Sequence, residues 1–468
     1  MATDGFRAKS RAFCGVVVLS VAIPCLGGAA PPGTNIEALE RSVAPLLEEV
    51  RQNADARDFD EAIKQYERIL NQLTEAGAEE TVVAADVHAS FGEVLLDSCR
   101  LVAAENHFRI ALRLFEETGA DAVKRIVTLD RLANLLEIGG RLLSSVHVYK
   151  AADVLETQLE TPDSERMESR AGRKGSIEST LATWISDAPS PRSRDARSEV
   201  AELLAAVPEK IDQGDIANAL LWAQKAQKVV SDKLSIDDPF FLLSLTAFWE
   251  VGHAAKKENT INKVTAIIDD FFKEVKHNSF AHPGLSARLQ LLVANDNLED
   301  GNTEQALEDF LWSCRRFTYA RSLSETENHA RSLCLTILAP LSRDEREFEF
   351  AEILFTELIF TNIRLYGAKA LATSEARIGR ATCLAALGRY QEAETVAIPA
   401  HDALLADPRG AWRHVASLTL FLSALMERDG RTQDALSILI RTIARMQRQS
   451  APQYLIDKLS TEYNGMPR

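Results

Sequence analysis

The sequence predicts an all-α fold, an α-solenoid of antiparallel helix pairs, on three observations. Ala, Leu, Glu and Arg dominate its 468 residues, while Gly numbers only 22 and Pro 15. Such a balance favours helices and leaves few residues for the tight turns that join strands. A small–bulky–small trio recurs along the chain at a period of about 42 residues. A Gly followed by a polar residue precedes five of these trios at one fixed distance, where a first helix would end and a second begin.

Hydrophobic residues make up 46% and charged residues 26%, enough apolar matter for a buried core and too much for wholesale disorder. Lys and Arg number 53 against 68 Asp and Glu, a net charge of −15. An acidic surface of that kind is a poor match for nucleic acid, whose binding depends on excess cationic charge.

Residues 1–30 stand apart. Arg7, Lys9 and Arg11 open the chain, the apolar run Ala12 to Leu26 follows, and Gly27, Gly28, Ala29 and Ala30 close it. A basic start, an apolar core of about 15 residues and small residues after it fit a secretory signal cut after Ala29, which avoids Pro31 directly after the cut. An uncleaved anchor is the rival, because Gly27 to Ala30 extend the apolar stretch towards the length of a membrane span. The expectation is an exported chain, periplasmic or extracellular, tethered if residues 12–30 are retained. Cys25 follows Pro24, not the small residue that a lipid-attachment site carries. No later stretch is long or apolar enough to span a bilayer.

The clearest repeat runs His88, Phe91, Gly92, Leu95, Ala104, Phe108 and Ala111, and the trio returns as Ala62-Tyr66-Ile69, Ser145-Tyr149-Ala152, Ala219-Ala223-Ala226, Ala306-Phe310-Ser313, Ala351-Phe355-Leu358, Ala393-Ala397-Ala400 and Ala435-Leu439-Thr442. Gly140-Arg141, Gly214-Asp215, Gly301-Asn302, Gly388-Arg389 and Gly430-Arg431 lie five and four positions before the first small residue of their trios. From Gly92 the small, bulky and small positions follow at 12, 16 and 19 residues. This spacing resembles the tetratricopeptide repeat (TPR), and the period of about 42 resembles the long variant found in kinesin light chains. The resemblance covers roughly residues 58–448 and implies a right-handed superhelix whose first helices line a concave groove. The physical rationale is that small residues at the helix crossing allow close approach, while Phe108 fills the space towards the next pair. The double interval between Ala219 and Ala306 places a worn unit near Val251 to Val275, with Ala266 as its small residue.

The repeats divide into residues 31–160 and 198–468, separated by a polar interruption over 161–197. There Arg166, Arg170, Arg173 and Lys174 mix with Asp163, Glu165, Glu168 and Glu178, and Pro189 and Pro191 close the stretch. Ile177, Leu181, Trp184 and Ile185 fall at i, i+4, i+7 and i+8, which predicts a short amphipathic helix from about Gly175 to Ser186. A repeat remnant packed on its neighbours and an arm that docks a partner or folds back into the groove both fit, and Trp184 reports on the difference.

Chemistry is hard to place. The nine histidines form no helical metal pair, and the common zinc, hydrolase and phosphate-loop signatures are missing. His277 and His282 are close in sequence, but the following Pro283-Gly284 predicts a turn. Pairs such as Asp269-Asp270 and Glu116-Glu117 suit solvated helix faces. Cys314 and Cys334 would meet across a stacking interface in an oxidising compartment, or serve with Cys99 and Cys383 as small buried hydrophobes. No catalytic, metal or cofactor residue is assigned.

The resemblance implies groove positions at Ala89, Glu93 and Asp97 in one unit and at Asp130, Asn134 and Ile138 in the next, with Arg131 beside them. Glu93, Asp97, Asp130, Arg131, Asn134 and Trp184 are therefore the candidate partner-binding residues. Their acidic mouth would steer basic or polar peptide segments. The carboxylate-gripping form of the family does not transfer, because Glu93 stands where an Asn would and Ala89 where a Lys would. The sequence reading is a non-catalytic exported scaffold that binds protein or peptide segments. A sensory or regulatory helical module, or an enzyme with an unrecognised site in a helical toroid, is the alternative.

Overall fold

The computed structural model describes residues 36–55, 59–236, 238–255, 268, 282–320, 323–406 and 411–466. The segment 1–30 with its cleavage site, and Ala266 with most of the worn unit, lie outside the described residues. Among these residues there are 19 helices and no strand, so the all-α solenoid of antiparallel helix pairs is the observed fold. None of the helices is long and apolar enough to cross a membrane.

In chain order the helices are α1 (Ile36–Asp55), α2 (Phe59–Glu75), α3 (Val82–Asp97), α4 (Leu101–Glu117), α5 (Ala122–Ile138), α6 (Leu142–Glu156), α7 (Ser164–Ser186), α8 (Pro191–Asp212), α9 (Ile216–Lys233) and α10 (Pro239–Ala255). They continue as α11 (Pro283–Glu299), α12 (Thr303–Tyr319), α13 (Glu325–Asp344), α14 (Phe348–Tyr366), α15 (Leu371–Ala386), α16 (Tyr390–Ala406), α17 (Trp412–Arg428), α18 (Thr432–Arg448) and α19 (Gln453–Gly465). Successive helices pair as hairpins: α3 with α4, α5 with α6, α8 with α9, α11 with α12, α15 with α16, and α17 with α18. The chain divides into two compact units, one of residues 73–330 and one of residues 35–72 with 331–468.

The repeat residues do what their sizes predict. Every member of the eight trios is buried, from Ala62 to Thr442. A methyl group added at Gly92 of α3 would stand 2.7 Å from the Phe108 ring of α4, well inside contact distance, so the two helices touch through that hydrogen-only position. Phe108 thus fills space inside its own hairpin. Phe355 of α14 reaches the next hairpin, where an added methyl at Gly379 of α15 would meet its ring at 2.2 Å.

The turn glycines also behave as expected. Gly140, Gly214, Gly301, Gly388 and Gly430 all take positive φ, between 71° and 77°. Two other repeats reach the same turn without glycine: Cys99, five residues before Ala104, has φ 61°, and Arg346, five before Ala351, has φ 63°. Non-glycine side chains in that region carry a steric cost. The turns need the left-handed residue because it lets the chain reverse while the last carbonyls of the first helix still find donors, as when Arg141 N–H bonds Leu136 O at 2.9 Å.

Two expectations are corrected by the local structure. Pro283 and Gly284 do not make a turn; Pro283 opens α11, where its missing N–H and fixed φ suit the first helical turn. The interruption holds a helix, but it starts at Ser164 and not at Gly175, with Asp163 Oδ1 accepting from Arg166 N at 3.0 Å as its cap. Gly172 and Gly175 lie inside that helix, and ion pairs to α5 and α6 compensate for their weak helix preference.

Within the 73–330 unit, α10 and α11 are buried nearly all round, with an unbroken buried run from Gly284 to Asp296. Both are tied to the earlier hairpins at their turns. Leu101 N–H, at the start of α4, donates to Asn295 Oδ1 at 2.7 Å, and Arg288 Nη1 donates to Glu137 O at the end of α5 at 2.9 Å. These bonds satisfy helix-end groups that otherwise need water or a local cap, and α4 indeed has no side-chain cap of its own. Arg141, between α5 and α6, forms an ion pair with Glu250 of α10. The interior of this unit is therefore occupied by its own helices, and its openings are clefts between elements.

Candidate cleft between α5 and α7

One such cleft, of about 290 Å³, is lined by Asp130, Arg131 and Asn134 of α5, Tyr149 of α6, and Arg166, Arg170 and Arg173 of α7. Three of the six sequence-derived candidates meet there. The three α7 arginines stand in the sequence only as part of a polar interruption, although their i, i+4, i+7 spacing puts them on one helical stripe.

Arg170 anchors the arrangement, with a side chain only 1% exposed. Its Nε and Nη2 donate to Asp130 Oδ1 and Oδ2 at 2.7 and 2.9 Å, a bidentate pair, and its Nη1 donates to Asp153 Oδ1 at 2.9 Å. Arg166 makes a second bidentate pair with the fully buried Glu156, both bonds at 3.0 Å. Fork-on-fork geometry fixes α7 against α5 and α6 in orientation as well as position. Burial by itself would raise the Asp153 and Glu156 carboxyls, but hydrogen bonds from Arg170 and Lys174 to the first, and from Arg166 to the second, hold both below the usual carboxylate range.

Arg173 is held less tightly. Its Nη1 donates to Asn134 Oδ1 at 2.6 Å, it lies 3.8 Å from Glu137 Oε2, and its side chain remains 42% exposed. Arg131 is 53% exposed and pairs with Glu93 Oε1 at 3.1 Å. Burial, assisted by the Glu137 carboxylate, pushes the Tyr149 phenol up to about 12, so it stays a neutral hydroxyl at the base of the cleft. Four guanidiniums line the opening, and each faces a carboxylate: Arg170 meets Asp130, Asp153 and Glu156, Arg166 meets Glu156, Arg131 meets Glu93 and Arg173 lies near Glu137, so α7 sets arginines beside the acidic residues expected of α5. Two half-exposed guanidiniums beside an amide and a phenol can receive anionic or polar groups through planar, charge-assisted hydrogen bonds.

The remaining candidates lie elsewhere. Glu93 borders the cleft through Arg131, and Asp97 is exposed near the end of α3. Ile138, expected on the groove face, is fully buried because α5 ends against other elements of its unit. Trp184 is half-buried near the end of α7, edge-on to His282 at 5.3 Å between ring centroids, and its carbonyl accepts from Arg197. In this structure α7 packs on α6 and α8 as a folded helix. Cys99, Cys314, Cys334 and Cys383 are buried and form no disulfide, and no group of three or more metal-capable side chains occurs among the described residues.

No protein-family model matches the chain, and no curated protein matches it. Among solved structures, the TPR domain of P58(IPK) aligns at 12% identity over 90% of this chain and 97% of that one, with a TM-score of 0.24. Yeast Tom70 aligns at 12% identity over 91% of this chain and 97% of its own, with a TM-score of 0.23. At that level of similarity nothing about binding passes from either protein to this one.

Proposed function

We propose that the chain is a non-catalytic interaction scaffold that holds peptide segments or partner domains, with the α5–α7 cleft as a contact point. The observation that carries this reading is the cleft's combination of rigidity and exposure. Arg170 and Arg166 are locked by bidentate pairs, while Arg131 and Arg173 keep half-exposed guanidiniums that still present donors. A partner segment with acidic or amide side chains suits that wall. Helices of 15 to 17 residues in the α3–α6 and α15–α18 hairpins support the long-period form of the repeat. The basic and apolar opening of the sequence supports export, which amino-terminal sequencing of the mature chain would test.

The test of the cleft is affinity capture with the full chain, followed by cross-link mapping and comparison with an Arg131→Glu/Arg173→Glu variant. Reproducible partners that cross-link beside α5 and α7 and are lost from the variant are expected. Partners retained unchanged by the variant would remove the cleft from the function.

A further inference from the structure

Helix α14 leaves a group of apolar side chains open to solvent. It buries Ala351, Phe355 and Leu358 along one side. On the other side Phe360 is 64% exposed and Ile353 56%, and four of the eleven exposed large hydrophobics among the described residues lie on this one helix. Single exposed apolar residues are normal on a protein surface, but a grouped set marks an interaction site.

The open stripe has an order. Glu349, Ile353, Phe360 and Arg364 fall at i, i+4, i+11 and i+15, along one side of the helix. A carboxylate and a guanidinium thus bracket the two apolar side chains. Both charged residues are exposed, and neither side chain makes an ion pair or hydrogen bond among the described residues. The pattern is symmetric about the point between Thr356 and Glu357: Ile353 and Phe360 stand equally far from it, and so do Glu349 and Arg364. Two such helices laid antiparallel about that point bring Ile353 of each against Phe360 of the other, and Glu349 of each against Arg364 of the other. Glu357, next to the centre, is already paired with Arg331, so its carboxylate does not face its own copy bare.

We propose that two copies of this chain associate through α14 as an antiparallel pair, related by a two-fold axis that passes between Thr356 and Glu357. A two-fold interface requires a surface that fits itself, and this stripe does. With one charge of each sign at opposite ends, it matches its own copy turned end over end, whereas a uniformly acidic or basic partner would leave one end unpaired. The stripe covers about 22 Å of helix at 1.5 Å per residue, an area at the low end for protein interfaces, so the association is weak, on the order of micromolar. It lies outside the compact unit that holds the α5–α7 cleft and stands independently of that site.

Sedimentation velocity of the full chain over roughly 1–100 μM tests it, at a salt concentration of about 0.15 M that screens the repulsion between two acidic copies. A monomer–dimer equilibrium is expected. Phe360→Glu should weaken it by roughly tenfold or more. Glu349→Arg and Arg364→Glu should each weaken it roughly tenfold, because the symmetry counts every lost pair twice. Mixed together, these two charge variants should associate again, since a stripe basic at both ends then meets one acidic at both ends. All three positions are exposed, so the variants should fold as the wild type does, which circular dichroism checks. A chain that stays monomeric over the whole range, a dimer that folded Phe360→Glu leaves unchanged, or charge variants that fail to pair when mixed would overturn the proposal.

Discussion

The close approach of Gly92 to Phe108 gives a prediction that can be worked through. A Cβ at Gly92 would stand 2.7, 2.8 and 3.1 Å from three ring carbons of Phe108, whereas carbons in comfortable contact are about 3.5–4.0 Å apart. The ring would have to retreat by nearly an ångström, and Phe108 is fully buried. Overpacking costs about 1–3 kcal/mol, and with the ring fully enclosed the upper part of that range, about 2–3 kcal/mol, applies, while Ala in place of Gly in a helix returns about 1 kcal/mol. Gly92→Ala should therefore lose a net 1–2 kcal/mol, roughly. Phe108→Leu removes the offending ring edge at a cost of its own of about 1–2 kcal/mol. In that background Gly92→Ala should be neutral or stabilising, giving a coupling of about 2 kcal/mol. Urea denaturation followed by circular dichroism measures the four members of the cycle. Amide hydrogen exchange in α3 and α4 localises the effect, since repeat arrays need not unfold in one step. A Gly92→Ala variant as stable as the wild type, or changes that add within about 0.5 kcal/mol, would refute the contact as the reason for glycine there.

Three further outcomes follow from the same structure. Arg346 is exposed and left-handed, so Arg346→Gly should raise stability by about 1 kcal/mol in denaturant, and a loss would contradict the strain argued for that turn. Arg170→Ala should cost about 3 kcal/mol and accelerate hydrogen exchange across residues 164–186, because it leaves Asp130, Asp153 and the buried Glu156 without their shared cation; undisturbed exchange there would show that α7 is held by other means. Acid should destabilise the His88–His107 contact, whose Nδ1 atoms are 2.7 Å apart. Burial, with Arg113 nearby, lowers His88 to about 4, and burial, with His88 beside it, lowers His107 to about 3. Both stand near 6.5 when unfolded, so the unfolded chain takes up more protons and stability falls as pH drops from about 6.5 towards 4 and 3. Glu299, raised by burial to about 8, works the opposite way over part of this window. The difference in melting temperature between wild type and His107→Gln at pH 7.5 and 4.5 isolates the pair, and an identical pH dependence of the two would rule it out.

Much of the repeat was legible because its causes are local. The trios mark where only a small residue fits, and the turn glycines mark a backbone conformation that few residues adopt cheaply. Cys99 and Arg346 occupy that conformation without the expected residue, so the turn signal vanished there while the turn itself persisted. Helix α7 was half legible. Its carboxy-terminal half carries an apolar stripe, but its first half is polar and contains Gly172, and it is held by carboxylates from α5 and α6 that no local pattern announces.

Taken alone, the amino-acid order determined the helical class, the hairpin period and the residues buried at each crossing, since these depend on side-chain size and backbone preference within some forty residues. Only the tertiary structure decided that α10 and α11 occupy the interior of their unit, that arginines from the interruption wall the cleft beside Asp130 and Asn134, and that Arg141 joins Glu105 to Glu250. Those outcomes join groups up to 194 positions apart, as Leu101 and Asn295 do. Helix-end amides and buried charges must find partners somewhere, but the sequence does not say which distant group will be within reach.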